Sequence, residues 1–315
     1  MRREGSPWQG LGAVVLKELS DHLTSARMRV LELLAVLTAF AALYLAIQQI
    51  KQLSAEDPYL FLRLFTTARE PLPSFVSFLS FLVPLMAIGL GFDAVNGEHS
   101  RRTLSRILAQ PIYRDALLFG KFLAGLMTLT ISLVALWLLV IGLGLYNLGL
   151  PPSLEEVGRI FLFLLVTVAY AGVWLALALL FSILFRSAAT AALVSLGLWL
   201  FLTLIWPNLV PVIVLALVPS DDQSTLIITA QMLLRISPNM LFGEIVSALL
   251  DPTTRTLNLT VPIEQALQLQ RAVPGALPLG ESLLLAWPQI VGLVAAAILL
   301  FVIGYVIFQR QEVRA

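Results

Sequence analysis

Charged residues are scarce in this sequence. Only 12% of its 315 residues are Asp, Glu, Lys or Arg, whereas 59% are hydrophobic, and the mean hydropathy is +0.91. A soluble globular domain usually carries about 25% charged residues, with which it coats its surface. The shortage of charge therefore excludes a soluble domain of this length and indicates that lipid covers much of the surface.

Cysteine is absent and histidine is rare. Without cysteine the chain has no disulfide, no thiol nucleophile and no Cys-ligated metal. The two histidines, His22 and His99, are too few and too widely separated for a metal site. A net charge of +1 gives no electrostatic basis for binding nucleic acid. The polar residues 1–10 are not followed by a short apolar run with a cleavage site, so we expect no removable signal peptide.

Apolar stretches of about 20 residues, the length that crosses a membrane as a helix, are abundant. Their charges lie near the ends, which avoids the roughly 2.5–3.5 kcal/mol that a central Arg or Lys costs. The sequence therefore predicts an all-α integral membrane protein, with residues 1–315 forming a single transmembrane domain of six helices. The predicted spans are Val30–Ile50, Ser74–Val95, Ala116–Tyr146, Val157–Phe185, Ala188–Val218 and Ala286–Phe308.

The distribution of Lys and Arg predicts the orientation. Cytoplasmic flanks of membrane helices are enriched in these residues, and long loops do not follow the rule. With both termini in the cytoplasm, 13 of them lie inside and 7 outside, or 4 outside when the long segment 219–285 is left out. We therefore expect both termini in the cytoplasm and the segment 219–285 outside.

The residues before the first span have the pattern of an amphipathic helix. Over residues 8–27, apolar side chains recur at helical spacing, which predicts a helix lying in the inner membrane interface. A soluble helix packed on a partner is the alternative. The polar residues that fall largely on the other side are Lys17, Glu18, Ser20 and Asp21.

The long segment 219–285 is predicted to contain two helices. These are Leu226–Leu250 and Ile263–Val273, and the first part of the segment is apolar enough to enter the outer leaflet. No internal repeat is evident in the chain. The inverted-repeat architecture of many secondary transporters therefore has no support here.

A polar, basic segment, 96–115, connects the second and third spans. Within it Ser100–Leu108 is predicted as a short helix with Leu104 and Ile107 on an apolar side, and Pro111 forces a turn. A short helix held between two spans can transmit a push from a soluble partner. An ordinary basic loop on the cytoplasmic side is the alternative, which charge alone favours. The acidic residues Asp93 and Glu98 could pair with the arginines of this segment.

The stretch Phe92–Lys121, FDAVNGEHSRRTLSRILAQPIYRDALLFGK, resembles the ABC-2 family of ATP-binding-cassette permeases. In that family an acidic residue and a Glu after the second span precede a Gly-Thr-Leu-like triplet, a Leu-x-x-Pro segment and a Gly-Lys pair that opens the third span. Arg102 departs from the pattern, since the family usually has Gly there. The matching positions are Asp93, Glu98, Arg102-Thr103-Leu104, Leu108-Ala109-Gln110-Pro111 and Gly120-Lys121.

The resemblance extends over nearly the whole chain, through Val15–Leu19 (VLKEL), Ser237-Pro238 and Phe308–Arg314 (FQRQEVR). Within the family the chain is most similar to permeases of the nitrous-oxide-reductase maturation type. The resemblance implies a permease subunit of an exporter in a prokaryotic plasma membrane, with two permease copies and two ABC ATPase subunits. It also implies that the helix after the second span docks on the ATPase through Glu98, Arg101, Arg102, Thr103, Leu104, Ile107, Leu108 and Pro111.

The chain encodes no phosphate-binding loop. Such a loop needs Gly-x-x-x-x-Gly-Lys followed by Ser or Thr, and the only Gly-Lys pair here, Gly120-Lys121, is followed by Phe122. We therefore expect no catalytic residue and no cofactor in this chain, with ATP and Mg bound by the partner ATPase.

Two other functions are alternatives. An ion-coupled secondary carrier would need ionisable residues within the spans, and Glu32 and Asp93 lie at span edges. An intramembrane protease would need a His-Glu-x-x-His cluster or a Ser with a His base, and both histidines lie outside the spans. Family analogy places the cargo path between spans two and five of two subunits. The polar residues that would line it, or that only bond helix to helix, are Thr190, Ser195 and Thr203.

Overall fold

The computed structural model describes residues 8, 10–50, 59–70, 72–100, 113–149, 151–218, 223–255, 257 and 275–311. Helices make up almost all of this part of the chain. They are α1 (Leu11–Thr24), α2 (Ala26–Ile50), α3 (Leu60–Thr66), α4 (Phe75–Gly91), α5 (Asn96–Ser100), α6 (Arg114–Leu148), α7 (Leu154–Leu184), α8 (Ala188–Leu200), α9 (Trp206–Leu217), α10 (Gln223–Leu234), α11 (Pro238–Leu250) and α12 (Leu279–Arg310).

Six stretches of the described residues are long and apolar enough to cross a membrane. They are α2, α4, α6, α7, α8 with α9, and α12, which we call spans 1 to 6. They correspond one to one with the predicted spans, so the prediction of an all-α integral membrane protein with six spans is confirmed. Span 6 begins at Leu279 rather than Ala286. The hydropathy pattern missed this start, because the first turn of the helix contains the polar residues Glu281 and Ser282.

Span 4 lies at the centre of the bundle. Its most apolar part is 67% buried in protein, compared with 11% for spans 5 and 6. It packs against spans 2, 3, 5 and 6 and against α11. At Gly91 of span 2 the approach is so close that an added Cβ would lie 2.8 Å from the Cβ of Ala178. Spans 2 and 4 therefore meet through small residues, as closely packed membrane helices commonly do.

Aromatic rings join α3 to spans 2, 3 and 4. Phe65 of α3 lies edge-on to Phe75 of span 2 and to Phe163 of span 4, with ring centroids 5.7 and 5.8 Å apart. Trp137 of span 3 contacts all three rings, at centroid distances of 4.8 to 6.0 Å. All four side chains are buried. Because edge-to-face contacts are a favoured geometry of aromatic rings, this cluster holds α3 in the bundle.

Span 5 is interrupted by a π-helical turn at Phe201–Ile205. Pro207 follows this turn. A proline has no N–H to donate, and its ring clashes with the carbonyl four residues earlier, which here belongs to Thr203. A π turn is wider than an α turn and accommodates the ring without ending the span.

The segment between spans 5 and 6 contains a sharp bend. We predicted one helix over Leu226–Leu250, but the structure has two, α10 and α11, which meet at 105°. The prediction was wrong because Ser237, the residue before Pro238, has an extended backbone that ends one helix and lets the proline begin the next. The bent pair is apolar enough to form a broken span or a re-entrant loop. The predicted helix Ile263–Val273 lies outside the described residues.

Candidate functional site

A buried lysine links three elements at the end of the bundle that carries α1. The side chain of Lys121, in span 3, is only 3% exposed. Its Nζ donates to Glu98 Oε1 of α5 at 2.6 Å and to Glu18 Oε1 of α1 at 3.0 Å. Lys17 Nζ donates to the same Glu18 oxygen at 2.9 Å. We call Glu18, Glu98 and Lys121 the Lys121 triad.

The triad is nearly closed to water. The side chains of Glu18 and Glu98 are 10% and 13% exposed. Removing one partner of a buried ion pair typically costs about 3–5 kcal/mol, because the other charge stays buried without compensation. The triad therefore fixes α1, α5 and span 3 relative to one another.

Close packing around the triad places α1 directly on span 3. At Gly120 an added Cβ would lie 2.6 Å from Val14 Cγ1, so the two helices touch through the backbone of span 3. The ring of Trp8 packs edge-on against Phe119, with 5.2 Å between centroids. The N-terminal helix thus has a docking surface within its own chain.

This docking corrects the predicted role of Glu18. The predicted helix over residues 8–27 is present as Leu11–Thr24. We placed Glu18 with the polar residues that face away from the apolar side, yet it is one of the two buried residues of α1. Glu18 is buried because the ammonium group of Lys121 compensates its charge.

Acidification should loosen α1 from span 3. Burial lowers the pKa of His22 below its usual 6.5, and Lys121 adds to this effect, while Glu18, Asp93 and Asp21 oppose it. Folding thus favours neutral His22, so its contribution is present above pH 6.5 and is lost as the pH falls through the lowered pKa. We expect faster hydrogen exchange of α1 amides at pH 5.5 than at pH 7.5, after correction for intrinsic rates.

The variant His22→Asn provides the control, because it cannot take up that proton and should lose the difference between pH 7.5 and 5.5. Below pH 4.5 the protection of the α1 amides should fall again, in the unmodified protein and in the His22→Asn variant alike. Burial alone would raise the pKa of Glu18, but Lys121 and Lys17 outweigh it and lower the pKa below its usual 4.5. Equal protection of α1 at pH 7.5 and 5.5 in the unmodified protein would contradict the prediction.

A second ion pair ties span 1 to span 2 at the same end. Arg27 donates to Asp93 Oδ2 at 2.8 Å, and its guanidinium lies 5.2 Å from the centre of the Phe92 ring. Since Arg27 is 55% exposed, the pair adds only about 0–1 kcal/mol to stability. Asp93 thus pairs with Arg27 of span 1, and Glu98 pairs with Lys121 of span 3. The arginines of the following segment lie outside the described residues.

The residues on both sides of the segment 101–112 are anchored to other spans. Before it, the backbone N–H of Asn96 donates to Ser182 Oγ of span 4 at 3.2 Å. After it, Asp115 Oδ1 accepts a hydrogen bond of 2.8 Å from the Tyr305 hydroxyl of span 6. The residues that flank the segment are therefore bonded to spans 4 and 6 as well as continuous with spans 2 and 3.

The predicted coupling residues fall into two groups. Glu98 is described and belongs to the Lys121 triad. Its partners Glu18 and Lys121 were part of the family-like stretches VLKEL and GK, but sequence spacing does not show that these stretches meet. The remaining coupling residues lie outside the described part of the chain: Arg101, Arg102, Thr103, Leu104, Ile107, Leu108 and Pro111.

The three residues predicted to line a cargo path do not share one surface of span 5. Ser195 and Thr203 are buried, whereas Thr190 is exposed. Ser195 Oγ donates to the carbonyl of Ala191 at 2.7 Å, one turn earlier in the same helix. The hydroxyl of Thr203, in the π turn, has no hydrogen-bond partner among the described residues. The structure therefore buries Ser195 and Thr203 and exposes Thr190.

A buried arginine organises the opposite end of the bundle. Arg159 of span 4 is fully buried. It donates to the carbonyl of Leu249 in α11 at 2.8 Å, to Ser282 Oγ in span 6 at 3.2 Å, and to the carbonyl of Leu277. It also pairs with Glu155 at 2.9 Å. From the sequence, Arg159 is only an arginine near the end of an apolar span. Its partners could not be predicted, because two of them are backbone carbonyls, which every residue has and which therefore form no sequence motif.

These features define the class: a polytopic membrane protein in which a buried ion-pair network connects an N-terminal helix with the end of span 2 and the start of span 3. The sequence profile described as "ABC-2 family transporter protein" matches residues 12–313. The chain therefore belongs to the ABC-2 transporter family, and the predicted resemblance is confirmed.

Two curated relatives are similar to part of this chain. Each is described as "Probable ABC transporter permease protein NosY". The relative from Stutzerimonas stutzeri is 28% identical over 199 residues and the one from Pseudomonas aeruginosa 30% identical over 199 residues. Each alignment covers 61% of this chain and 66% of the relative, just under two thirds of its length.

Proposed function

We propose that this chain is the permease subunit of an ATP-driven exporter, operated by a separate ABC ATPase through the segment that follows span 2. The observation that carries the proposal is the single ammonium group of Lys121 held by both Glu98 and Glu18. Glu98 lies in α5, directly before the proposed docking segment. A displacement of α5 by the ATPase would pull on span 3 and α1 together, because separating the three side chains would leave buried charges without a partner.

The orientation proposed from Lys and Arg places this network on the correct side for an ATPase. With both termini in the cytoplasm, the Lys121 triad and the segment 101–112 face the compartment that contains ATP. Leu104 and Ile107 of that segment would fill a groove on the ATPase. The ATPase subunit itself would bind ATP and Mg. The family membership and the description of the relatives as permeases support this division of labour.

The proposal includes two permease copies with two ATPase copies in a prokaryotic plasma membrane. Identical subunits usually pair with two-fold symmetry, and two ATPases need two docking segments. Spans 5 and 6 are the least buried within one chain, which leaves span 5 free to face a second copy. The cargo path would then run between spans 2 and 5 of the two subunits.

Co-purification tests the assembly. We expect an ABC ATPase to be encoded beside this chain. The permease, expressed with that ATPase and extracted in mild detergent, should give a particle of two permease and two ATPase chains by native mass spectrometry. The complex in liposomes should hydrolyse ATP faster than the ATPase alone. A stable particle with one permease, or a permease that binds no ATPase, would contradict the proposal.

A further inference from the structure

A cavity of about 260 Å³ lies between spans 1, 2 and 3. It is separate from the Lys121 triad and from span 5. Most of its lining is aliphatic, and its two polar residues are Glu32 of span 1 and Ser132 of span 3. Val36 and Ile131, which also line it, are 39% and 47% exposed. The cavity therefore opens sideways, on the surface of the bundle that lipid can reach.

The carboxylate of Glu32 lies well inside the membrane-spanning part of the protein. We predicted a position at the edge of span 1, since Glu32 is in the second turn of the helix that begins at Ala26. Its Oε1, however, accepts a hydrogen bond of 2.9 Å from Ser132 Oγ. Ser132 is near the midpoint of span 3, Arg114–Leu148, so the contact places the carboxylate far from either end of that helix.

Glu32 has no cationic partner in the part of the chain that the structure describes. Glu18 and Glu98, by contrast, share Lys121, and Glu244 pairs with Arg235 at 3.0 Å. The buried Glu156 has no cation either, but it accepts hydrogen bonds of 2.8 Å from two backbone N–H groups. An acidic side chain within a span is costly, and such residues usually pair with a cation or mark a binding site. The carboxylate of Glu32, which no cation of the described residues neutralises, is thus the main chemical feature of the cavity.

We infer that this cavity binds a small hydrophobic cation, an organic amine or quaternary ammonium with apolar arms, whose charge pairs with Glu32. The aliphatic walls would hold the arms, and the single carboxylate would select for positive charge, the usual combination in small-molecule sites. Because the opening faces lipid, a ligand of this kind enters from the bilayer. The site is contained in one chain and does not depend on the proposed ATPase partner.

Radiolabelled benzyltrimethylammonium tests the site, with neopentylbenzene as its uncharged carbon isostere. The full chain is placed in phosphatidylcholine nanodiscs, which carry no net charge to attract the cation. Binding should be saturable, and neopentylbenzene should compete at least about tenfold more weakly. The variant Glu32→Gln, which keeps the shape and the bond to Ser132, should bind the cation at least about tenfold more weakly, equivalent to about 1.4 kcal/mol.

Two further variants locate the site. Glu281→Gln removes the same charge from an exposed position in span 6 and should bind like the unmodified protein. Ala135→Leu adds bulk at the exposed rim of the cavity and should weaken binding although Glu32 remains. Equal binding by the Glu32→Gln or Ala135→Leu variant would overturn the inference. So would equal competition by neopentylbenzene, a comparison that needs no variant.

Discussion

Replacing Lys121 with methionine should abolish the ATP hydrolysis that depends on the permease. Methionine fills much of the same space but has no charge, so Glu18 and Glu98 remain buried without a cation. Such a loss costs about 3–5 kcal/mol, which would release α5 from span 3. Turnover by the reconstituted complex should fall at least about tenfold, since each factor of ten corresponds to about 1.4 kcal/mol. The measurement is phosphate release from liposomes that contain permease and ATPase.

The matched control is Lys17→Met. Lys17 donates to the same oxygen of Glu18, but it is 58% exposed, so water replaces it at little cost. This variant should hydrolyse ATP at nearly the unmodified rate, and Lys121→Arg should retain a large share of it. If Lys121→Met kept full turnover, or if Lys17→Met lost as much, the Lys121 triad would have no part in coupling.

The double substitution Leu104→Asp and Ile107→Asp should detach the ATPase. In the predicted helix Ser100–Leu108, both side chains lie on the apolar side that would enter a groove on the ATPase. Two carboxylates buried there without partners would cost several kcal/mol, so co-purification of the ATPase should fall at least about tenfold. The chain itself should still insert, because its six spans are unchanged.

Ser105→Asp is the comparison for that experiment. It adds one negative charge to the same short helix, between the two apolar positions but on another side, so most of the ATPase binding should remain. The amount of ATPase retained on tagged permease measures the difference. Retention of the ATPase by the double variant at the unmodified level would mean that 100–108 is an ordinary basic loop, the alternative that charge alone favours.

The sequence was sufficient for the spans because the membrane imposes one rule on every segment. About 20 apolar residues must be helical to cross it, so hydropathy alone identified all six. The edges were less certain where polar residues begin a helix, as Glu281 and Ser282 do in span 6. The bend between α10 and α11 could have been predicted, since Ser237-Pro238 restricts the backbone, but the apolar pattern continues through it.

The site was only partly predictable, because its residues come together through tertiary contacts. Periodicity assigned Glu18 to a polar side on the assumption that charge faces water, and it could not show that Lys121 compensates this charge from another helix. Glu98 and Lys121 were identified by resemblance as separate motif positions. Nothing in their spacing indicated a direct bond. Glu32 was placed at a span edge, because its hydrogen bond to Ser132 of span 3 is a tertiary contact that the sequence of span 1 does not show.

The buried hydrogen bond of Trp137 has a mechanical consequence for span 3. Trp137 Nε1 donates to the carbonyl of Ile160 at 3.3 Å, next to Arg159, which holds span 4 to α11 and span 6. Span 3 is thus tied in its second half to span 4, while Lys121 lies about 24 Å away along the helix at 1.5 Å per residue. That length acts as a lever arm with its fulcrum at Trp137. A pull on Lys121 would therefore tilt span 3 rather than slide it, and the largest movement would occur at the end where α5 and α1 are attached.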